Sequence, residues 1–279
     1  MRSQEFGEIG FSRDEEHEAL LSFIDGNNES VLALRRTYPA GSKGPVHSHR
    51  KTQLWFARSG VVFVSTADGR WMIPPGHGLI IPAGLPHSSE MISRVEMNSV
   101  YVHPDVIRTE RPRVVEVTVL AGNLIEELVR QDLKPLNSRR RELVMELLMD
   151  EISHLPEQPL GLPFPSNANI AALCRNFLNA PAANTSIDDW ASALGMSRRT
   201  FTRVFRAETG VSFVTWRQQA CIFASLPRLA GGEAITNVAL DAGYENVAAF
   251  TTMFRRMLGS SPSAYLKASS LRHGRTAMT

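Results

Sequence analysis

The chain has 279 residues, 43% of them hydrophobic and 21% charged, which suits two packed domains and excludes an intrinsically disordered protein. No apolar run approaches the roughly 18 to 20 residues of a membrane span, and the polar start MRSQEFGEIG predicts no signal peptide. Only Cys174 and Cys221 are present, too few for a disulfide framework or a zinc finger, so we expect a cytoplasmic protein without membrane contact.

The net charge of +2 hides an uneven distribution. Residues 166–279 carry 12 Lys and Arg against 6 Asp and Glu, whereas residues 1–165 carry 18 against 22. A basic segment beside an acidic one favours contact between the basic end and a polyanion.

Residues 31–119 have the pattern of a β-rich domain. Many short strands separated by Gly- and Pro-containing turns are typical of a sandwich or a barrel. The clearest predicted strands are Val31–Tyr38, Gln53–Thr66, Leu79–Pro82 and Arg94–Val102. We therefore predict a β-barrel domain over residues 1–119.

The hydrophobic period changes after residue 119. Leu120, Leu124 and Leu128 recur every four residues, and Leu143 and Leu147 repeat that spacing. This pattern predicts two amphipathic helices before residue 154.

The segment KPLNS at 134–138 separates these helices, and Asn137 or Ser138 can cap the second one. The following segment LPEQPLGLPFPS at 155–166 contains four prolines, which predicts a semi-rigid linker. Residues 120–165 are therefore expected to form a helical dimerisation and linker region, and residues 166–279 an all-α domain.

The C-terminal part contains an internal repeat with the pattern of two helix-turn-helix motifs, at about 187–208 and 235–258. The first half of each unit repeats after 48 positions and the second half after 49, so the extra residue falls in the turn. The repeated residues are Ile187, Trp190, Ala191, Leu194, Gly195, Phe201, Phe205, Arg206 and Gly210, which return as Ile235, Val238, Ala239, Ala242, Gly243, Phe250, Phe254, Arg255 and Gly259.

The second helix of each unit is predicted to bury two Phe side chains and to expose a polar, cationic face. Arg reads guanine edges in the major groove, and Thr contacts bases or phosphates, so both faces are candidate DNA contacts. The candidates are Ser197, Arg198, Arg199, Thr202, Arg203 and Arg206 in the first unit, and Asn246, Thr251, Thr252, Arg255 and Arg256 in the second.

The motifs LGMSRRTFTRVFRAETG at 194–210 and ITNVALDAGYENVAAFTTMFRRMLGSSPSAY at 235–265 resemble the DNA-binding domain of the AraC/XylS family of transcriptional regulators. The resemblance extends from about Asn169 to Leu266. It implies a long helix linking the two units, from about Ser212 to Leu229.

The linking helix departs from the family pattern at two positions. Cys221 stands where Arg is usual, and Pro227 falls inside the expected helix, where it should kink or end it. Ala248 stands where a small hydroxyl residue is frequent, so we expect the first unit to carry more of the base readout.

The β region also contains two spaced motifs. The first runs Gly41, His47, His49, Gln53 and Gly60, and the second runs from Gly76 through Pro82 and Gly84 to His87. These spacings resemble the two motifs of the cupin jelly-roll barrel. The overall expectation is thus an α+β chain of two domains, a cupin-like sensory β-barrel and an all-α domain with two helix-turn-helix motifs.

The cupin resemblance implies metal ligands at His47, His49, Gln53 and His87. His47 and His49 would face one side of a strand, and three imidazoles suit Zn, Ni, Cu or Fe. The departure is Gln53, because Glu is usual there. Three hypotheses remain for these residues, namely a divalent transition metal, an organic effector, or histidines that form hydrogen bonds in a metal-free barrel.

These observations favour a regulator that binds promoter DNA, senses a small molecule or metal, and acts as a homodimer on repeated half-sites. An activator would also contact RNA polymerase. The alternative is a metal-dependent cupin enzyme, a dioxygenase or isomerase, that carries a DNA-binding domain. Because a carboxylate is missing at Gln53 and no general acid or base is evident near the histidines, we expect no enzymatic activity.

Overall fold

The computed structural model describes residues 14–131 and 138–265. The chain divides into two compact units. The N-terminal unit contains the residues up to Thr66 together with Trp71–Gly161, and the C-terminal unit contains Ala67–Arg70 together with the chain from Leu162 onward. The predicted helix cap Asn137 and the last residue of the family resemblance, Leu266, lie outside the described residues.

Within the described residues, the secondary structure of residues 14–163 consists of three helices and eleven strands. The helices are α1 (Asp14–Gly26), α2 (Val119–Gln131) and α3 (Ser138–His154). The strands are β1 (Val31–Tyr38), β2 (Lys43–His47), β3 (Thr52–Ser59), β4 (Val62–Thr66), β5 (Gly69–Ile73), β6 (His77–Ile81), β7 (His87–Met91), β8 (Val95–Val102), β9 (Arg113–Glu116), β10 (Glu157–Gln158) and β11 (Gly161–Pro163).

The strands form an antiparallel β-sandwich, which confirms the predicted β-rich domain. Among the described residues, one sheet has the order β1-β8-β3-β6-β9-β10 and the other has the order β11-β5-β4-β7-β2, so the strands form two sheets instead of one continuous barrel. In the first sheet β1 pairs with β8 over its whole length, from Val31 opposite Val102 to Tyr38 opposite Val95.

The predicted strand Gln53–Thr66 is two strands, and this part of the sequence prediction was wrong. Gly60 lies between β3 and β4 with φ +78°, a left-handed conformation that L side chains rarely adopt. A Cβ at this position would lie 2.3 Å from Arg94 O. The chain turns there because only Gly fits beside the neighbouring backbone.

Helices α2 and α3 pack together and against the first sheet. Ile125 and Leu128 from α2 and Leu148 and Ile152 from α3 are buried in one core with Leu54 of β3. Burial of each such side chain stabilises the fold by about 1.5 to 3 kcal/mol. The leucine spacing thus predicted the two helices correctly, although Leu120, Leu143 and Leu147 remain about half exposed.

The proline-rich segment expected to be a linker carries β10 and β11. β10 pairs with β9 at the edge of the first sheet, and the Glu116 N–H donates to Pro156 O at 2.9 Å. Proline is compatible with edge strands because its missing N–H breaks no internal ladder. Leu160 O accepts from the Met72 N–H at 3.0 Å, so the segment is held against β5.

The described chain from Ala168 onward is helical, as predicted. The helices are α4 (Ala168–Asn179), α5 (Ile187–Ala193), α6 (Arg198–Thr209), α7 (Phe213–Ala230), α8 (Ile235–Asp241) and α9 (Val247–Leu258). Trp190 of α5 packs in an aromatic core, with its ring centroid 4.8 Å from that of Phe213 and 6.2 Å from that of Phe201.

Helix α7 is the linking helix that the family resemblance implied. It continues through Pro227 and ends at Ala230, so Pro227 removes a hydrogen bond in the last turn without ending the helix. Cys221 is fully buried on this helix, where a long cationic side chain would have no room to reach water.

Candidate DNA-binding surface and histidine site

Helices α6 and α9 have the same construction. Each has 12 residues and begins after a capping side chain: Ser197 Oγ accepts from the Thr200 N–H at 3.1 Å, and Asn246 Oδ1 accepts from the Ala249 N–H at 2.9 Å. Each ends at a left-handed glycine, Gly210 or Gly259. Capping and termination of this kind fix where each helix starts and stops.

Each turn before these helices also contains a left-handed glycine. Gly195 has φ +63° and Gly243 has φ +80°. Their surroundings differ, because a Cβ at Gly195 would meet nothing within 4 Å, whereas one at Gly243 would lie 2.8 Å from Ala183 N. The second turn is therefore closely packed against the segment between α4 and α5.

The outer face of α6 carries four exposed arginines. Arg198 donates to Asp188 of α5 at 3.2 Å, so it is engaged within the motif. Among the residues that the structure describes, Arg199, Arg203 and Arg206 have no carboxylate within ion-pair distance. These three guanidinium groups are available to an external anion.

The hydroxyl side chains predicted as DNA contacts have intramolecular partners. Thr202 Oγ1 donates to Arg198 O at 2.8 Å and Thr252 Oγ1 donates to Ala248 O at 2.9 Å, each within its own helix. Thr251 is half-buried. The exposed cations of α9 are Arg255 and Arg256, fewer than the cations of α6.

Arg228 near the end of α7 forms a clamp that sequence reasoning missed. Its Nη2 donates to Glu233 Oε2 and to Asp241 Oδ2, each at 2.6 Å, and its Nε donates to Glu233 as well. The clamp joins the linking helix to the end of α8 and thereby orients the second motif. The spacing of Arg228, Glu233 and Asp241 gives no regular sequence signal.

The structure brings the predicted histidines together. His47 ends β2, His87 begins β7 opposite it in register, and His49 lies in the loop after β2. Ligand nitrogens of the three imidazoles lie within 4.8 Å of one another. The expectation that His47 and His49 alternate on one strand was wrong, because β2 ends at His47 and the loop carries His49 to the same site.

All three imidazoles are oriented by backbone carbonyls. The Nδ1 atoms of His47, His49 and His87 lie 2.7 to 3.0 Å from carbonyl oxygens, which accept only, so each Nδ1 is a donor. The remaining Nε2 atoms therefore carry lone pairs. Imidazoles held by such bonds are typical of metal-ligating histidine.

The amide of Gln53 lies on this site. Its Oε1 is 3.0 Å from His49 Nε2, and its Nε2 donates to Tyr101 Oη at 3.0 Å. As placed, Gln53 Oε1 and His49 Nε2 face each other as two acceptors. Either a cation binds both atoms, or the amide is reversed so that its N–H donates to His49 Nε2. The first is the metal hypothesis, and the second is the metal-free hydrogen-bonded site.

Burial lowers the pKa of each imidazole. The pKa of His47 falls to about 4 and that of His87 to about 3, chiefly through desolvation, with additional repulsion between the rings. The pKa of His49 is also lowered by burial. The site therefore presents neutral imidazoles near pH 7, the protonation state that binds metals.

Sequence reasoning missed a fourth histidine at this site. The ring centroid of His17 on α1 lies 4.4 Å from that of His47. Its signal is the spacing of His17, Leu20 and Ile24, which places an imidazole on the apolar face of a short helix.

Two family models match the chain. An AraC-like ligand binding domain matches residues 30–152, and a helix-turn-helix domain matches residues 190–268. The chain belongs to the AraC family of transcriptional regulators. As an AraC-family protein, it is a DNA-binding regulator with an N-terminal domain that senses effectors.

The curated relatives of this AraC-family chain are transcriptional regulators. The chain is 29% identical to the HTH-type transcriptional regulator NimR of Escherichia coli (strain K12) over 259 residues, which cover 92% of this chain and 91% of NimR. It is 36% identical to the HTH-type transcriptional regulator RipA of Corynebacterium glutamicum over 105 residues, which cover 37% of this chain and 31% of RipA.

Solved structures also resemble the AraC-family chain. ToxT from Vibrio cholerae O395 matches 85% of this chain and 98% of its own, with 12% identity and a TM-score of 0.37. The DNA-binding domain of AdpA, in complex with a target DNA, matches 37% of this chain and 93% of its own, with 31% identity and a TM-score of 0.35. Within the described residues, every helix is too short or too polar to span a bilayer.

Proposed function

We propose that this regulator binds promoter DNA with α6 and α9, each in a major groove on one face of the duplex. The observation that carries the proposal is the matched pair of capped helices, each with exposed arginines. Successive major grooves on one face lie about 34 Å apart, which suits two recognition helices on one scaffold. In this proposal residues 166–279 form the DNA-binding domain, residues 1–119 the sensory domain and residues 120–165 the region between them.

The two units have different roles in this proposal. Arg199, Arg203 and Arg206 contact base edges and phosphates, whereas Arg255 and Arg256 contact mainly phosphates. Arg198 stays paired with Asp188 and contributes only its positive charge. The caps Ser197 and Asn246 act by presenting helix N-termini and backbone N–H groups to phosphates.

The test uses a duplex selected from a random library by the full-length protein. Arg199→Ala and Arg203→Ala are expected to lower affinity for this duplex about 5- to 150-fold, the equivalent of about 1 to 3 kcal/mol. Arg108→Ala is the matched control, because it removes one exposed positive charge from the N-terminal unit. Equal losses in all three variants would contradict base or phosphate contacts by α6.

The proposed partner of the helical region is a second copy of the chain. Leu143 and Leu147, four residues apart on α3, remain 47% and 44% exposed, and Leu120 of α2 is 45% exposed. Dimerisation would bury these side chains and raise the affinity for repeated half-sites through effective concentration. Leu143→Ser/Leu147→Ser should yield monomers in sedimentation experiments, while the surface variant Arg108→Ala stays dimeric.

We further propose that the histidine site binds a divalent transition-metal ion as effector. The donors would be Nε2 of His47, His49 and His87 together with Oε1 of Gln53. The support is the proximity of three neutral imidazoles, each with its Nδ1 bonded to a backbone carbonyl, and the acceptor pair between His49 and Gln53. The ion would link the two sheets, because His87 and Gln53 belong to different sheets.

Metal content of the gently purified full-length protein tests this part. We expect about one ion per chain, lost in His47→Ala/His87→Ala and kept in the control His103→Ala, whose ring is exposed beside Asp105. Absence of metal from the wild-type chain would favour an organic effector or a metal-free hydrogen-bonded site.

A further inference from the structure

A fourth imidazole belongs to the surroundings of the histidine site. His17 on α1 is only 9% exposed, and its ring lies edge-on to that of His47 at an interplanar angle of 82°. Neither cupin-like motif contains it, because it precedes the first strand. The tertiary structure alone brings it to the site.

Helix α1 is fixed to the sandwich at its other end. Ile24 is fully buried against Leu32 and Tyr101, and Asp25 Oδ1 accepts from the Arg50 N–H at 2.8 Å. Arg50 directly follows His49, so both ends of α1 lie beside residues of the histidine site. The eight steps along the helix from His17 to Asp25 span about 12 Å.

We propose that His17 is a fourth imidazole ligand of this site, and that an ion bound there fastens the N-terminal end of α1 to the sandwich. The proposal rests on the proposed metal site and extends it. The ligand atoms of His47, His49 and His87 already lie within 4.8 Å of one another, and the ring of His17 lies beside His47. Rotation of the His17 side chain toward the ion would add a fourth imidazole to these three and the Gln53 amide oxygen, a donor set suited to ions that take five or six ligands, such as Ni²⁺, Co²⁺ or Fe²⁺. Ion binding would then be coupled to the docking of α1.

The test is a calorimetric titration of metal-stripped, full-length protein with Co²⁺. We expect about one Co²⁺ per wild-type chain, and an affinity roughly 10- to 100-fold lower in His17→Ala, the range of loss when one group around a metal is removed. His103→Ala should match the wild type. His17→Gln serves as a second variant, because it keeps a polar side chain if His17→Ala does not fold.

A second readout follows α1 itself. Phe23 on α1 is 52% exposed, and chymotrypsin can cleave beside it when the helix loosens. Added Co²⁺ should slow this cleavage in the wild type and in His103→Ala, but not in the His17 variants. A structural role of His17 without ligation would change cleavage equally with and without Co²⁺.

The outcomes separate the two proposals. Equal Co²⁺ affinity in the wild type and the His17 variants, with loss in His47→Ala/His87→Ala, would overturn the role of His17 and leave the three-histidine site standing. Failure of the wild type to bind Co²⁺ would overturn both. Weaker binding in the His17 variants, together with Co²⁺-dependent protection of α1 in the wild type but not in those variants, supports the proposal.

Discussion

At the scale of single residues, the arginines of the recognition helices differ in what they contact within the protein. Arg198 is paired with Asp188, whereas the described residues offer no carboxylate partner to Arg199 or Arg203. An unpaired guanidinium can bind a phosphate or a base without first breaking an ion pair within the protein. Arginines only one or five positions apart on α6 therefore have different expected roles in DNA binding.

A first prediction concerns position 53. Gln53→Glu supplies the carboxylate that the cupin pattern has there, and should raise Co²⁺ affinity about tenfold or more, because an anionic oxygen binds a divalent cation better than an amide. Gln53→Met, with similar volume and no amide, should weaken binding. Isothermal titration checks this, and equal affinity in all three proteins would exclude position 53 from the site.

A second prediction concerns the cysteines. Burial raises the pKa of the thiols of Cys174 and Cys221 to about 12. Since the thiolate is the reactive form, neither should react with iodoacetamide in the native protein at pH 8, and both should react in urea. Mass spectrometry of the alkylated chain checks this, and rapid labelling of native Cys221 would contradict its burial on α7.

At the scale of elements, the two helix-turn-helix units share caps and glycines but differ in how tightly their turns are packed. Gly243 approaches the backbone of Ala183, whose N–H donates to Ala242 O at 2.7 Å. Gly195 has open space where its side chain would be. The sequence repeat placed one extra residue in the second turn, and the difference in packing arises from the segment between α4 and α5, which lies against that second turn.

The third prediction uses this matched pair. Gly195→Ala should lower the free energy of unfolding by about 1 to 2 kcal/mol, the usual cost of a left-handed conformation for an L residue. Gly243→Ala should cost clearly more, because its Cβ also meets the backbone at 2.8 Å. Urea denaturation of the full chain measures both, and equal losses would argue against the tight second turn.

At the scale of the whole molecule, the proposed function depends on two recognition helices that act on one duplex. Among the described residues, helix α6 offers three unpaired arginines and α9 two exposed ones, so in this proposal full affinity requires both helices to bind at once. Arginine contacts to phosphates release counterions, so we expect affinity to fall steeply as salt rises.

The fourth prediction follows from this geometry. Inserting five base pairs between the two halves of the selected DNA site rotates one major groove by about half a turn, since a turn is about 10 to 10.5 base pairs. Affinity should then fall to the level of Arg255→Ala/Arg256→Ala, and inserting ten should not restore it, because helices on one scaffold cannot reach grooves that lie about 34 Å farther apart. Electrophoretic mobility shifts measure this, and affinity unaffected by spacing would contradict simultaneous binding.

The sequence by itself determined the elements whose signals are local. Helix periodicity, the caps Ser197 and Asn246, and the repeated Phe pairs depend on neighbours a few residues away, so the two motifs and their exposed faces were predictable. The histidine motifs likewise marked three of the four imidazoles.

The tertiary structure alone decided features that depend on distant segments. The approach of Arg94 to Gly60 splits a predicted strand, α1 brings His17 to His47, and the clamp at Arg228 orients the second motif. Each joins residues far apart in the chain or without a periodic spacing, and composition and periodicity carry no information about such contacts. The tertiary structure also decided which arginines remain unpaired, because ion pairing depends on where the neighbouring helix places its carboxylates.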